Sequence, residues 1–502
     1  MSRTNGILYF NPRATNSKPR IPNSLLSLLS VVSIIPQDMF VDGNLEQDPW
    51  NKIEQILQKG ETRYFCCTVM PGPQLKQAVP LCRRIRKLFP EIVIIWGGYF
   101  PSNHSQVTIE SGIVDYIAIG PAEESFPALI GALESGGNTE NISGLVFKKN
   151  AHICRTEPAH IPDPDTLPTL PYQWLNGIYD LKAYLPKTWL GSKTLGYHSS
   201  YGCPFSCSFC GVVPVFQSVW KGKSASKIAQ ELLDLKKAYG IDAVEFHDNN
   251  FFVSENRAVE FARLIIGQEI SWWAEGRPDT LNNYSDESLR LLSESGCKMI
   301  FMGAESGNSK ALQQMHKGGS VSGTGIFNIA ERLLNAGIIP EFSFVLGLPA
   351  DSSKAVSSGI SADISFIRKL KHTFRNTEII IYAYSPVPAD ESDLYSQAQK
   401  SGFVFPQSLD EWISDDFKGI DMRKNPNTPW LTKSMVCKIL GFETVFQCYY
   451  PSDTDIRLHN GMRVLMRIAS YLRYRTHFYY WPYELMLLLK LQRYRHPDKE
   501  GF

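Results

Sequence analysis

The chain has 502 residues, 43% of them hydrophobic and 20% charged, with a formal net charge of +1. A length of more than three times the usual domain of about 150 residues predicts two to four domains, and the composition is that of an ordinary globular protein, so disorder is not the default. Near-zero charge leaves no global field to draw in nucleic acid, so none is expected as a partner.

No apolar run reaches the about 20 residues that cross a bilayer, and MSRTNGILYFNPRATNSKPR lacks the charged, apolar and small-residue blocks of a secretory leader. The expectation is a cytoplasmic protein. Its ten cysteines should then form no disulfide framework, most of them being small buried apolar residues.

From Gly6 to about Gly136 the runs GILYF, VVSIIPQDMFVDG, RYFCCTVM, EIVIIWGG and VDYIAIG alternate with amphipathic stretches. In one of these, QLKQAVPLCRRIRKLF, Leu75, Ala78, Cys82 and Ile85 recur at helical spacing. The alternation predicts a doubly wound, Rossmann-like parallel sheet over residues 1–156, binding its ligand at the strand carboxyl ends. Gly97 and Gly98 end one such run, and Gly120, followed by Glu123 and Glu124, ends another. Glycines there let a backbone approach a large flat or phosphorylated ligand, although they also serve as ordinary turns.

EPAHIPDPDTLPTLPYQW dominates a proline-rich linker at 157–193. Over 194–405 the alternation resumes in TLGYHSSYGCPF, DAVEFHDNNFF, ISWWAEGR, KMIFMGAESG, PEFSFVLGLP and EIIIYAYSPVP. Six such units predict a partial TIM-type (β/α)6 barrel whose strand ends converge on one mouth.

Residues 406–502 read as mainly helical, with Arg463, Arg467, Arg473, Arg475, Lys490, Arg493 and Arg495 mixed among Tyr471, Tyr474, Phe478, Tyr479, Tyr480 and Trp481. Such a mixture fits a substrate lid, a contact with a membrane surface, or ordinary helix packing with a solvated basic face.

One stretch carries specific chemistry. YGCPFSCSFCGV places Cys203, Cys207 and Cys210 in a CxxxCxxC pattern directly after the first barrel run. Structural zinc takes four protein ligands, and only His198 stands near as a fourth. Three thiolates without a fourth instead match a [4Fe-4S] cubane that leaves one iron open to a small molecule.

VEFHDNNFF, WWAEGRPD, GAESG, LGLP and YSPVP follow in order, after VDGN, VMPGPQ, WGGYFP, VDYIAIGPAEESFPALI and ISGLVFK. Over roughly residues 6 to 425 the chain thereby resembles the cobalamin-binding-domain-containing radical S-adenosylmethionine (SAM) enzymes. That branch includes anaerobic magnesium-protoporphyrin IX monomethyl ester cyclase and the class B methyltransferases.

The resemblance implies that Cys203, Cys207 and Cys210 ligate the catalytic [4Fe-4S] cluster. It further implies that Phe209, Asp248, Asn249, Asn250, Arg277, Glu305 and Ser306 border SAM, and that Asp42, Gly43, Asn44, Thr68, Met70, Gly97, Gly98 and Gly120 border cobalamin. Read as scaffold instead, Asp248 caps a turn and Arg277 with Asp279 is a structural ion pair. The chain departs from the family in having GPAE where Gly-Glu-Gly-Glu is common and Phe100 where histidine is common, and it lacks an Asp-x-His-x-x-Gly stretch.

The implied activity is cobalamin-dependent methylation of an unactivated carbon in an apolar or natural-product-type small molecule. Its alternatives are oxidative cyclisation or another radical rearrangement of a tetrapyrrole-like or lipid substrate, and a radical SAM enzyme whose first domain no longer binds cobalamin. An external electron donor such as flavodoxin or ferredoxin is implied as well.

Overall fold

The computed structural model describes residues 3–14, 19–317, 322–387, 393–414, 428–456 and 458–495, without the side chains of 393 and 492–495. Pro388 of YSPVP, the end of the segment running to 425, and the side chains of Arg493 and Arg495 lie outside the described residues.

The first sheet contains β1 (Gly6–Asn11), β2 (Met39–Asp42), β3 (Thr62–Thr68), β4 (Val93–Gly97), β5 (Tyr116–Ala118), β6 (Leu145–Lys149) and β7 (His152–Arg155), in the order β2-β1-β3-β4-β5-β6-β7. Pairing is parallel from β2 through β5, and β6 and β7 add an antiparallel edge. The central strands are apolar on both faces because helices cover both. Ile7, Tyr9, Tyr64 and Cys66 pack with Leu25, Leu29, Phe126 and Leu129. The alternate residues Leu8, Phe10, Phe65 and Cys67 pack with Ile53 and with Leu75, Ala78, Cys82 and Ile85 of the helix Pro73–Leu88.

The run VVSIIPQDMFVDG does not form one strand. Residues Asn23–Val31 form a helix running into it, and only Met39–Asp42 pair in the sheet. Pro36 separates the two, since it supplies no N–H for either helix or ladder.

The second sheet is parallel throughout, in the order β15-β14-β13-β12-β11-β8. Its members are β8 (Thr194–Tyr197), β11 (Ala243–Phe246), β12 (Ser271–Gly276), β13 (Cys297–Glu305), β14 (Ile339–Leu346) and β15 (Glu378–Ala383); a small hairpin of β9 (Ser200–Gly202) and β10 (Trp220–Gly222) stands apart. Tyr197, Phe246 and Trp272 pack outward with the helices, while Ala243, Trp273 and Met299 form a separate apolar cluster with Leu190.

The segment entering helix Asn23–Val31 contacts the second sheet directly. Asn23 Nδ2 donates to the Gly196 carbonyl at 3.0 Å, and Arg20 pairs with Glu245. The proline-rich stretch is packed rather than free: Tyr172, Leu175, Leu181 and Tyr184 are buried, and Tyr184 donates to Asp42 at 2.9 Å. On the barrel side, Lys227 Nζ donates to the carbonyls of Pro164, Asp165 and Leu167.

Helices Lys433–Tyr449, Asn460–Thr476 and Tyr483–Arg495 make up most of the described residues of the C-terminal region, which is anchored where Trp430 Nε1 donates to the Gly347 carbonyl at 2.8 Å. Among the described residues, no helix is long and apolar enough to cross a membrane.

Candidate functional site

The cysteine loop starts where β9 ends. Gly202 lies at φ +70°, and a Cβ there would collide with the Val219 carbonyl, so glycine is required for the loop to leave the hairpin. The loop is pinned at Ser208, whose N–H donates to the Met315 carbonyl at 3.0 Å and whose hydroxyl donates to the Gln314 carbonyl at 3.1 Å.

Cys207 is buried, and Cys203 and Cys210 are partly so. Burial pushes the Cys203 thiol up, and it pushes Cys210 up to about 11 with Cys207 and Cys203 adding to the effect. The Cys203 and Cys210 thiols therefore resist ionisation unless a cation is bound beside them. Among the described residues no group of three His, Cys, Asp or Glu side chains is placed to hold a single metal ion. His198 opens into the cavity described below.

Arg277, at the end of β12, is held by protein groups on both of its edges. It binds both oxygens of Asp279 at 3.0 and 2.8 Å, donates to the Lys317 carbonyl at 2.7 Å and to Cys207 Sγ at 3.0 Å, and lies 3.8 Å above the Phe205 ring. Its geometry is that of a clamp on the cysteine loop. Glu305, at φ +61° at the end of β13, pairs with Lys317 at 2.6 Å, and that ammonium lies 5.4 Å from the Phe209 ring centre.

Asp248 is wholly buried and accepts from the Ser199 N–H at 3.0 Å and from the Ser199 and Ser200 hydroxyls. Arg257 bonds the same Ser199 hydroxyl at 2.6 Å. Ser306, equally buried, donates to Asp363 at 2.6 Å. Both are engaged by protein partners. Asn249 lines the cavity, and Asn250 is wholly buried with neither side-chain atom hydrogen-bonded in good geometry, beside the Cys203 thiol.

A cavity of about 320 Å³ lies between the first sheet and the barrel. Thr68, Gly97, Gly98 and Gly120 form one wall, while His198, Val212, His247 and Asn249 contribute to the other. Gly98 (φ +95°) and Gly120 (φ +72°) adopt backbone that side chains avoid. Any Cβ at Gly98 would come within 2.8 Å of Thr68 Oγ1.

Tyr99 extends from this floor to the cysteine loop, where it occupies the space that a side chain at Gly211 would need. Burial raises the Tyr99 hydroxyl, so it stays protonated. Burial likewise lowers His198 to about 3 and His247 to about 4, leaving two neutral imidazoles on the barrel wall.

The remaining first-domain residues lie elsewhere. Asp42 is buried under bonds from the Asn44 N–H at 2.8 Å and from Tyr184, and Gly43 packs against Gln77. Neither they nor Asn44 nor the half-exposed Met70 line the cavity.

Glu123, by contrast, does line it. Its Oε1 accepts from Ser27 and Tyr201, both at 2.6 Å, while Oε2 is buried without a partner. Tyr99, Lys317 and the Ser27–Glu123–Tyr201 junction carry no local sequence signal as a group, because each joins segments far apart in the chain.

Comparison with known proteins agrees with this layout. Residues 197–356 match the Radical SAM superfamily. An uncharacterised methyltransferase of Pyrococcus horikoshii is 26% identical over 355 residues, covering 70% of this chain and 73% of that protein. The anaerobic magnesium-protoporphyrin IX monomethyl ester cyclase of a Synechocystis species is 29% identical over 241 residues, 47% of each chain.

Two solved folds are similar. The cobalamin-dependent SAM radical enzyme OxsB, with aqua-cobalamin bound, superposes with a TM-score of 0.70 at 15% identity, covering 99% of this chain and 76% of that one. The radical SAM methyltransferase TsrM from Kitasatospora setae gives 0.63 at 16% identity, covering 80% and 77%.

Proposed function

Residues 197–356 form a radical SAM domain, and on that premise we propose that the protein is a cobalamin-dependent radical SAM methyltransferase acting on a small molecule. Cys203, Cys207 and Cys210 hold a [4Fe-4S] cluster with one iron left for SAM, and the glycine-floored cavity holds cobalamin. When bound, these groups supply a 5′-deoxyadenosyl radical from SAM and a transferable methyl group, sufficient to methylate an unactivated carbon.

Both sites fit what they are asked to hold. The loop offers three thiols and no closed set of four. The cavity offers a side-chain-free floor and, in Glu123 Oε2, a buried acceptor awaiting a donor of the kind that a corrin's peripheral amides provide.

The single observation behind the reading is the Tyr99–Gly211 contact. It brings the floor of one site against the loop of the other, where reacting groups held by both would be close to each other. Asn250, buried beside the Cys203 thiol, is suited to the methionyl zwitterion of SAM, whereas Arg277 is largely engaged by Asp279, Lys317 and Cys207. Reduction comes from an external donor such as flavodoxin or ferredoxin.

A second reading, oxidative cyclisation, is favoured by the identity with the Synechocystis cyclase. Transfer of isotope from methyl-labelled SAM into product separates the two.

The test is anaerobic purification with iron, sulfide and cobalamin supplied, followed by metal analysis and assay of 5′-deoxyadenosine. The expected result is about four irons per chain with stoichiometric cobalt, and no SAM cleavage by Cys207→Ala. Cleavage retained in that variant would overturn the cluster assignment, and iron without cobalt would overturn the methyl transfer.

A further inference from the structure

Helix Asn460–Thr476 buries only Met466, Ser470 and Tyr474, the last stacked on Tyr449 at 4.1 Å. The rest of its surface should be polar if water were its neighbour. Instead Val464, Leu465, Ile468, Tyr471 and Leu472 are exposed, Ile468 by 68% and Leu472 by 72%.

The chain turns at His477 (φ +57°) past exposed Phe478 and Trp481, and helix Tyr483–Arg495 adds exposed Met486, Leu487 and Leu491. More than half of the exposed large hydrophobic side chains among the described residues fall in this one hairpin. A patch of that kind marks an interaction surface.

Charge selects the partner. Arg467, Arg475 and Lys490 are exposed around the apolar face. Between Ile456 and Arg495 the sole carboxylate is Glu484, already paired with Arg473. Pairing two copies of this face would set cations against cations with no free acid to offset them. A lipid surface with anionic headgroups offsets them all, accepts scattered aliphatic side chains among its acyl chains, and places aromatics such as Trp481 at headgroup depth.

We propose that the hairpin of helices Asn460–Thr476 and Tyr483–Arg495 docks the protein on anionic membrane surfaces, lying in the interface without spanning the bilayer. The proposal is independent of the chemistry assigned to the cysteine loop.

The test uses the full-length protein and vesicles of phosphatidylcholine with or without an equal part of phosphatidylglycerol. Co-sedimentation is expected with the anionic vesicles, about tenfold weaker with the neutral ones, and weakened as salt rises from about 0.1 M to about 0.5 M. The double variant Ile468→Glu/Leu472→Glu alters only exposed positions and should keep the parent's circular dichroism while losing about tenfold in vesicle binding.

Binding undiminished in that variant would overturn the proposal. So would a parent that ignores vesicles but sediments as a dimer which the same substitutions dissociate.

Discussion

Arg277 donates to the Cys207 sulfur at 3.0 Å while both Asp279 oxygens grip its other edge at 3.0 and 2.8 Å. The planar guanidinium makes these bonds together, and an ammonium cannot. Removing one partner from a buried pair costs about 3–5 kcal/mol, so Arg277→Ala should lower the apparent Tm by about 6–12 °C. Arg277→Lys should fall between the two proteins and incorporate less iron than the parent. Unchanged melting and iron content would mean that the clamp is dispensable.

Gly97 and Gly98 separate folding from binding. Gly98→Ala forces a Cβ onto left-handed backbone against Thr68, at a cost of about 1–3 kcal/mol, and should destabilise the apoprotein. A Cβ at Gly97 finds its nearest neighbour 3.6 Å away. Gly97→Val should therefore melt like the parent yet bind hydroxocobalamin about tenfold more weakly, as read by visible absorbance after gel filtration, because its side chain protrudes into the cavity.

Glu123 offers a subtler test of the same cavity. Glu123→Gln keeps an oxygen for Ser27 and Tyr201 but replaces the unpartnered Oε2 with a donor. A hydrogen bond to a charged group contributes about 1.5–3 kcal/mol, so hydroxocobalamin affinity should fall by at least about tenfold. Equal affinity would show that Oε2 faces no ligand donor.

Glu275 ties stability to pH. Burial, with Asp248 and Glu341 adding, pushes its carboxyl up to about 8 from the ordinary 4.5. The folded protein thus holds a proton that the unfolded chain releases, and the stabilisation is full below pH 4.5 and lost as pH rises through about 8. Glu275→Gln, neutral throughout, should match the parent near pH 5 and exceed its stability above pH 8. Parallel stability curves across that range would refute the shift.

Local pattern determined the elements. Apolar runs alternating with helical segments marked all six strands of the second sheet, the helical recurrence of Leu75, Ala78, Cys82 and Ile85 marked a buried helix face, and the spacing of Cys203, Cys207 and Cys210 marked the loop proposed to hold the cluster. These features lie within a few residues of one another, where covalent connectivity alone sets the geometry.

The division of labour among polar residues was decided only by tertiary structure. Arg277, Asp248 and Ser306 stand at strand ends like Asn249 and Asn250, but Asp279, Ser199 and Asp363 engage them, while Asn249 lines the cavity and Asn250 lies beside the Cys203 thiol. Glu123 and Tyr99 joined the cavity for the converse reason, by meeting partners up to about a hundred residues distant. A buried polar side chain serves whichever partner saturates it, and that partner is chosen by packing between segments that the chain order does not bring together.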